Sequence, residues 1–336
     1  MAPVFRCAQL HGTRKAFFAT IALLVLPPIA LAGNEKTHLA PKFIPGEIFH
    51  YQIESHTVDT VKTTSPITDP ESGSRTTQLL SLLVRLDVLS PMPGAAPGST
   101  HFRVTYEKSH AEAESDAFDP NGSSFEKQYD RIEGQYFDFT LNTGGAITNL
   151  KGLDKIFPNR STAEPAYSWI DSLFPGSYFP RDGISIGQKW KSERPVTGMP
   201  LDDLVWLNDS TYLRDESCNA SADSPATPAV GGSPATKPPD CAAILMRYHM
   251  SRRGSPHSDA TPPSFRQNGL RTSGSWIGTG DSLVSMSLAT GLLVSSTTNS
   301  TQDVDYQIVS TRSGSSLHRK GRLQTQLILT LVPDSN

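Results

Sequence analysis

The sequence predicts a mainly β protein, α+β at most, built from antiparallel strands. Apolar and polar residues alternate in many short segments, such as 47–54 and 101–108, and this period of two is that of a strand with one buried face. Linkers rich in Ser, Thr, Gly and Pro separate these segments, as expected for hairpin connections. Long amphipathic helices are scarce, which favours antiparallel pairing over helical crossovers.

The first half of the chain contains four predicted strands, at 47–54, 78–89, 101–108 and 135–141. In segment 78–89, odd and even positions are both apolar at the start, and apolar residues alternate with polar ones from Val84 onward. This is typical of a long strand inside a sheet. In the second half we predict strands over 188–193, 205–213, 242–251, 273–280, 282–288, 291–298, 303–310 and 323–332.

One short helix is predicted, over residues 162–174. Thr162 is a suitable N-cap, the apolar positions from Trp169 to Phe174 recur at helical spacing, and Pro175 ends the pattern. This helix would join two β halves, 41–160 and 180–336.

The two halves begin alike, with Gly46 three residues before Phe49 and Gly187 three residues before Trp190. Similarity repeated at a fixed spacing is the usual sign of an internal duplication. Strand–turn–strand units also come to resemble each other by convergence, so both explanations stay open.

A second pair of similar segments is "TLNTGGAITN" at 140–149 and "SLATGLLVSS" at 287–296, which align Gly144 with Gly291. The first segment lacks the Lys-Ser/Thr that follows the glycines of a phosphate-binding loop. We therefore predict that Asn142 to Gly145 form a hairpin turn in which glycine adopts a positive φ.

Residues 1–32 are predicted to be a signal peptide. Three positive residues precede an apolar run over 16–31, and the small residues Ala30 and Ala32 suit a signal peptidase. The alternative is that the run is kept as an N-terminal anchor. Cleavage would leave an exported β-rich region, 33–336, in a secreted or periplasmic protein.

The charge of the chain does not favour nucleic acid as a partner. The formal net charge is −3, and loss of the three positive residues Arg6, Arg14 and Lys15 lowers it to −6. Nucleic-acid-binding proteins usually present a basic face. No segment after residue 32 is apolar enough to span a bilayer.

Cys218 and Cys241 are the two cysteines that remain after cleavage, and in an exported chain they are expected to form a disulfide. Segment 219–240 has no apolar periodicity and much Pro, Ala, Ser and Gly, which is typical of a flexible insert. The alternative to a disulfide is that the two cysteines bind zinc, but a zinc site needs four side-chain ligands at characteristic spacing.

Three motifs suggest chemistry that their context does not support. The "GDSL" at 280–283 matches serine esterases, but it lies late in a strand-like segment, and no aspartate stands three residues before His318. The "DPNGS" at 119–123 lacks the acidic residue that closes a calcium loop. Residues 312–322 are predicted to form a basic hairpin loop, either solvated or in contact with an anionic lipid or glycan. We therefore assign no catalytic, cofactor-binding or metal-binding residue.

Residues 186–193 and 281–306 carry a resemblance. Their Gly-x-x-Trp strand and late strand–turn–Gly–strand resemble the closing half of a family of uncharacterised secreted bacterial β-rich proteins. More loosely, such proteins are similar to the curved antiparallel sheets of periplasmic lipoprotein carriers. The likeness implies a concave apolar face able to hold an acyl chain, and it carries over no binding residue.

These observations predict a non-enzymatic exported protein that needs no cofactor and binds an apolar ligand, such as a lipid or small molecule, or an envelope component. The alternative is a structural or protein-interaction domain of the cell envelope. A hydrolase is disfavoured because no complete set of nucleophile, base and orienting group is present.

Overall fold

The structure is a computed structural model, and the contacts between its residues gather 34–336 into one compact unit. It describes residues 36–39, 41–65, 73–91, 94, 96–116, 124–157, 169–196, 199–218, 240–255 and 257–333. The predicted signal peptide and almost all of the predicted insert lie outside these residues.

Eleven strands and four short helices make up the described chain. The strands are Ile48–Thr64 (β1), Gly73–Leu89 (β2), Thr100–Ser115 (β3), Tyr136–Leu141 (β4), Ile147–Lys151 (β5), Lys189–Pro195 (β6), Leu204–Ser217 (β7), Asp240–Arg252 (β8), Leu270–Ser287 (β9), Leu293–Ser310 (β10) and Ser316–Val332 (β11). The helices are Ser124–Tyr129 (α1), Leu153–Ile156 (α2), 169–173 (α3) and Pro263–Gln267 (α4).

All eleven strands form one antiparallel sheet in the order β5-β4-β3-β2-β1-β11-β10-β9-β8-β7-β6. The predicted fold class is therefore confirmed, with a single sheet where the sequence suggested several. Two of the strands are longer than predicted: 273–280 and 282–287 are parts of β9, and 293–298 and 303–310 are parts of β10. The polar residues between these pairs remain paired in the sheet. The predicted residues 288 and 291–292 lie in the turn between β9 and β10.

The sheet is strongly curved. Nine strand spacings separate β4 from β6, about 43 Å in a flat sheet at about 4.8 Å per strand. Yet Phe139 of β4 lies 5.6 Å from the ring of Phe174, and Tyr178 accepts a hydrogen bond from Trp190 of β6. Phe174 and Tyr178 are linked by a 3₁₀ turn, which spans about 8 Å at about 2 Å per residue. The two edges therefore approach each other across one face, which we call the inner face.

Glycines on the inner face permit this curvature. A Cβ atom at Gly280 in β9 would collide with the carbonyl oxygen of Asn299 in β10. Gly274 has a φ of +133°, and a Cβ there would collide with the carbonyl oxygen of Asp305. Glycine in a strand interior is typical of such sharp bends and close backbone approaches.

The predicted helix over 162–174 is found in part. Residues 169–173 are helical, a 3₁₀ turn follows at Pro175–Tyr178, and residues 161–168 lie outside the described chain. The segment stands between β5 and β6, as expected for a connection between two halves. The three other short helices were not predicted, because each is too short to repeat an apolar pattern.

The turns that enter β1 and β6 are built from the same hydrogen bonds. The Gly46 N–H donates to Val88 at 2.8 Å and the Gly187 N–H to Tyr212 at 2.7 Å, in each case a carbonyl of the next strand. The side chain of the following residue accepts from a backbone N–H three positions earlier, at Glu47 and at Gln188. The duplication of the two halves stays a prediction, now supported by matching turns.

The predicted hairpin turn between β4 and β5 is present, and Asn142 organises it. Its side-chain oxygen accepts hydrogen bonds from the N–H groups of Gly144 and Ala146, both at 2.9 Å. The glycine with positive φ is Gly145, at 78°, and its counterpart is Gly291, at 70°. Gly145 and Gly291 each stand two residues before the following strand, which begins at Ile147 and at Leu293, so the alignment of Gly144 with Gly291 was wrong by one residue.

Cys218 and Cys241 form a disulfide, with Cα atoms 4.9 Å apart. The bond joins the end of β7 to the start of β8, so it closes the base of the segment predicted as a flexible insert. Of that segment only Asp240 is described, and it is the first residue of β8.

Candidate functional site

The apolar part of the inner face is covered by α3. Trp169 and Leu173 are buried there, and the Trp169 ring lies 6.2 Å from Tyr106 of β3 and 6.1 Å from Phe137 of β4. Asp171 of the same helix forms an ion pair with Arg194 of β6. The α3 segment therefore fills the space between the two edges of the sheet. The resemblance implied an apolar face open to an acyl chain, and this part of the face is occupied by the protein's own side chains.

The end of the inner face next to α3 is closed by the segment before β1. Phe43 lies 4.7 Å from Phe102 and 6.1 Å from Phe174, ring centre to ring centre. The Lys42 N–H donates to the carbonyl of Thr290 in the β9–β10 turn at 3.1 Å. Aromatic pairs at such distances add to the free energy of burial, so this end is tightly packed.

A second, smaller cluster covers the inner face at the opposite ends of β9 and β10. Leu201 and Ala260 come from two loops and pack with Tyr306 of β10. The rings of Trp276 and Tyr306 are stacked 5.9 Å apart, and Trp276 donates to the side chain of Gln302 at 2.8 Å. The inner face is thus covered by separate apolar clusters at its two ends.

Between these clusters runs a polar belt. One cross-strand row crosses eight neighbouring strands, from β6 to β2, and no aliphatic side chain occupies it. In sheet order its members are Ser192, Asn208, Tyr248, Gly280, Ser300, Thr325, Thr57 and Gln78. From β7 to β2, the members share the parity of the buried residues in their strands, so the polar belt lies on the inner face. All except Asn208 are half-buried, so the belt is partly open to solvent.

Several polar atoms at the β6–β10 side of the polar belt are deeply buried and unpartnered among the described residues. They are Asn208 Oδ1, Ser210 Oγ and Ser296 Oγ, in residues that are 4%, 1% and 3% exposed. Asn208 does donate from Nδ2 to Ser192 at 3.3 Å. Burying a polar atom without a hydrogen bond costs about 1–3 kcal/mol, so these atoms are suited to a hydrogen-bonding ligand or water.

The polar belt carries no ionised side chain at neutral pH. Its one titratable member is Tyr248, and burial raises the pKa of that phenol to about 12. Charges on the inner face lie outside the belt, as in the 2.8 Å ion pair between Arg319 and Asp59. The belt therefore offers neutral hydroxyl and amide groups that both donate and accept hydrogen bonds.

Ser282 of the "GDSL" motif lies in β9, as its alternation predicted, and faces inward. It is 1% exposed, and its hydroxyl accepts a hydrogen bond from Thr298 of β10 at 2.8 Å. The serine therefore sits in the middle of a paired strand, in the row next to the polar belt. The calcium-like segment 119–123 lies outside the described residues.

The predicted basic hairpin loop over 312–322 was wrong. The turn is confined to 311–315 and contains Arg312, while Arg319, Lys320 and Arg322 lie in β11. There they pair with acidic residues of neighbouring strands: Arg322 with Asp303 at 2.7 Å and Lys320 with Asp305 at 3.2 Å. The sequence could not show this, because the pairing depends on register.

The outer face of the sheet carries two adjoining shallow grooves. One, of about 260 Å³, is lined by Leu79 and Ile328 together with His56, His110 and acidic residues. The other, of about 380 Å³, shares His110 and reaches Lys108 and Glu133. Among the described residues, no group of three or more His, Cys, Asp or Glu side chains is placed to hold a metal ion.

Sequence reasoning did not find the polar belt. Its members are small polar residues scattered over eight strands, and only the register brings them into one row. A signal exists in "SSTTNSTQ" at 295–302, which is polar at both parities and yet lies in the interior of the sheet. A strand in that position normally turns apolar residues toward the core.

No protein-family model and no curated protein matches the chain. A solved structure described as "Lipid-protein interactions in lipovitellin" is similar in fold, with a TM-score of 0.42 and 12% sequence identity. The match covers 87% of this chain and 26% of that one, so the chain spans about a quarter of the length of that structure. In the described part of the chain, no helix has the length and apolar character needed to cross a membrane.

Proposed function

We propose that this is a non-enzymatic exported protein that binds an apolar or amphiphilic ligand on the inner face of its curved sheet. The proposal rests on how the apolar part of that face is covered. It consists of α3 and the following 3₁₀ turn, which contact the strands mainly through side chains such as Trp169 and Phe174. Every strand of the sheet, by contrast, is held by a hydrogen-bonded neighbour.

Displacement of α3 would uncover a continuous aromatic surface. Tyr106, Phe137 and Phe139 are fully buried beneath it, and an acyl chain in its place would restore the burial of their apolar area, worth about 25 cal/mol per Å². A ligand would therefore take the place of an existing cover without creating a new cavity. The residues of this surface are apolar, which supports binding and gives no support to chemistry.

The proposal extends to location and to the lack of catalysis. An exported protein is consistent with the leader-like residues 1–32 and with the disulfide between Cys218 and Cys241, since disulfides persist in oxidising compartments. Ser282 is a poor candidate nucleophile, because it is buried within the sheet and hydrogen-bonded to Thr298. A nucleophilic serine needs an adjacent base.

Native mass spectrometry after gentle purification of the full chain would detect a retained lipid as an adduct. Hydrogen exchange would then follow residues 169–178. We expect exchange there to accelerate when an apolar ligand binds, while the strands of the sheet remain protected. A chain that carries no adduct, and whose 169–178 amides exchange at the same rate with and without added lipid, would refute the proposal.

A second function, as an interaction domain of the envelope, is favoured by the outer face. Leu283, Leu207 and Leu79 are each more than 40% exposed there, and Leu79 lines a groove. Exposed apolar patches often mark interaction sites. Cross-linking in an envelope fraction would test this function: loss of the cross-link in a Leu79→Ser variant supports it, and persistence in that variant contradicts it.

A further inference from the structure

We propose that the polar belt binds the uncharged polar part of an amphiphile, such as the ester and hydroxyl groups of an acylglycerol. This inference rests on the proposed function, since it assumes that the apolar part of the same ligand occupies the α3 region. It predicts that the head group of the ligand is uncharged and that it contacts Asn208, Ser210 and their neighbours.

The belt adjoins the apolar region that α3 covers. Asn208 of the belt and its neighbour Ser210 lie in β7, two and one inner-face positions before Tyr212, which belongs to the apolar cluster around α3. Two residues along a strand correspond to about 7 Å. A ligand whose chain fills the apolar region therefore has its head group at the polar belt.

Among the described residues, buried side-chain oxygens without a hydrogen-bond partner lie at the belt and beside it. Asn208 Oδ1 and Ser210 Oγ are buried with no hydrogen-bond partner in the described chain, although apolar residues of similar size would pack there without that cost. Ser210 lies opposite Met246 of β8, and Met246 lies opposite Ser282 of β9. The hydroxyls therefore stand on both sides of a buried thioether and face the same space.

The side chains of the belt are uncharged. Hydroxyl and amide groups can satisfy an ester carbonyl and a hydroxyl at once. Arg194, the nearest inner-face cation on β6, lies outside the belt, one inner-face position beyond Ser192. A carboxylate or ammonium head buried at the belt would find no opposite charge there, and an unpaired buried charge is strongly unfavourable.

Calorimetry with the full chain would test this inference with two probes of equal chain length, a monoacylglycerol and the corresponding fatty acid. We expect the monoacylglycerol to bind at least about tenfold more tightly, and an Asn208→Ala/Ser210→Ala variant to bind it about tenfold more weakly, for about 1.4 kcal/mol of lost hydrogen bonding. A Ser285→Ala/Asn299→Ala variant, with the same changes on the outer faces of β9 and β10, should bind like the natural protein.

The outcomes separate the two proposals. If the monoacylglycerol binds equally well to the belt variant and to the natural protein, the buried atoms hold water only, and the inference fails while the proposed function stands. Tighter binding of the fatty acid would overturn the neutral head in the same way. Binding of neither probe would overturn both. If the double variant does not fold, Ser210→Ala alone serves, and its melting temperature shows that any loss of affinity is not loss of fold.

Discussion

At the residue scale, two glycines of β9 differ in what an added Cβ atom would meet. A Cβ at Gly280 would meet the backbone of Asn299, whereas a Cβ at Gly278 would meet the side chains of Trp206 and Met250 at 3.1–3.2 Å. Backbone atoms cannot move aside without breaking the β9–β10 pairing. Side chains can repack at lower cost.

We therefore predict that Gly280→Ala lowers the free energy of unfolding by about 3 kcal/mol or more, and Gly278→Ala by about 1–2 kcal/mol. Urea denaturation of the two variants beside the natural protein would measure both values. Equal effects, or a larger effect at Gly278, would show that β9 and β10 do not approach as closely as described.

Buried phenols give a second prediction at this scale. In the described part of the chain, burial raises the pKa of five tyrosines above the usual value: Tyr51, Tyr106, Tyr129, Tyr212 and Tyr248. A pKa raised in the folded state means that the neutral phenols contribute stability that is complete below about pH 10, the unfolded value. That stability is lost as the pH rises through the folded pKa.

An absorbance titration at 295 nm should therefore show these five phenols ionising only above about pH 10, together with cooperative unfolding seen by circular dichroism. Ionisation of all nine tyrosines near pH 10 in a protein that stays folded would contradict the described burial.

At the element scale, α3 holds the two edges of the sheet together through a few side chains. Phe174 follows directly on α3 and contacts Phe43, Phe102 and Phe139 at 5.5–6.1 Å between ring centres. Its removal leaves a cavity among rings that belong to β3, β4 and the segment before β1.

We predict that Phe174→Ala lowers the free energy of unfolding by about 3–5 kcal/mol. Leu283→Ala is the control, because this leucine lies 46% exposed on the outer face, and a change of about 0.5 kcal/mol is expected there. Chemical denaturation measures both. A Phe174 variant no less stable than the Leu283 variant would mean that α3 is not part of the core.

The sequence predicted the elements better than it predicted their extent. Alternation identified ten of the eleven strands because each carries a buried face, and Gly145 marked the turn before the short β5. It did not predict that 270–287 is one strand, because Gly278 and Gly280 within it resemble a turn. Those glycines serve the bend of the sheet instead.

The candidate site was predictable only in part. The Leu, Val and Phe positions of the inner face follow from the strand pattern, and the apolar positions of α3 follow from helical spacing. The fact that the second set covers the first depends on tertiary contacts between residues such as Trp169 and Tyr106, more than 60 positions apart. The polar belt depends on the register of eight strands, which no local pattern encodes.

At the scale of the whole molecule, curvature connects the fold to the proposed function. In a flat sheet one short helix could cover only the few strands beneath it. In this sheet, α3 and the 3₁₀ turn reach β3, β4 and β6 together, through Phe174 and Tyr178. A ligand that displaced α3 would be surrounded by strands from both halves of the chain.

The distance between the edge strands tests this central claim most directly. Spin labels on Lys151→Cys in β5 and Lys191→Cys in β6, both exposed, would be placed in a Cys7→Ser chain with the disulfide intact and measured by double electron–electron resonance. Ten strand spacings separate the two edges, about 48 Å in a flat sheet. The curved sheet predicts a mean distance of about 35 Å or less, because β4 and β6 are bridged by a short 3₁₀ turn. A mean distance of about 48 Å or more would contradict the curved sheet and, with it, the inner face as a binding site.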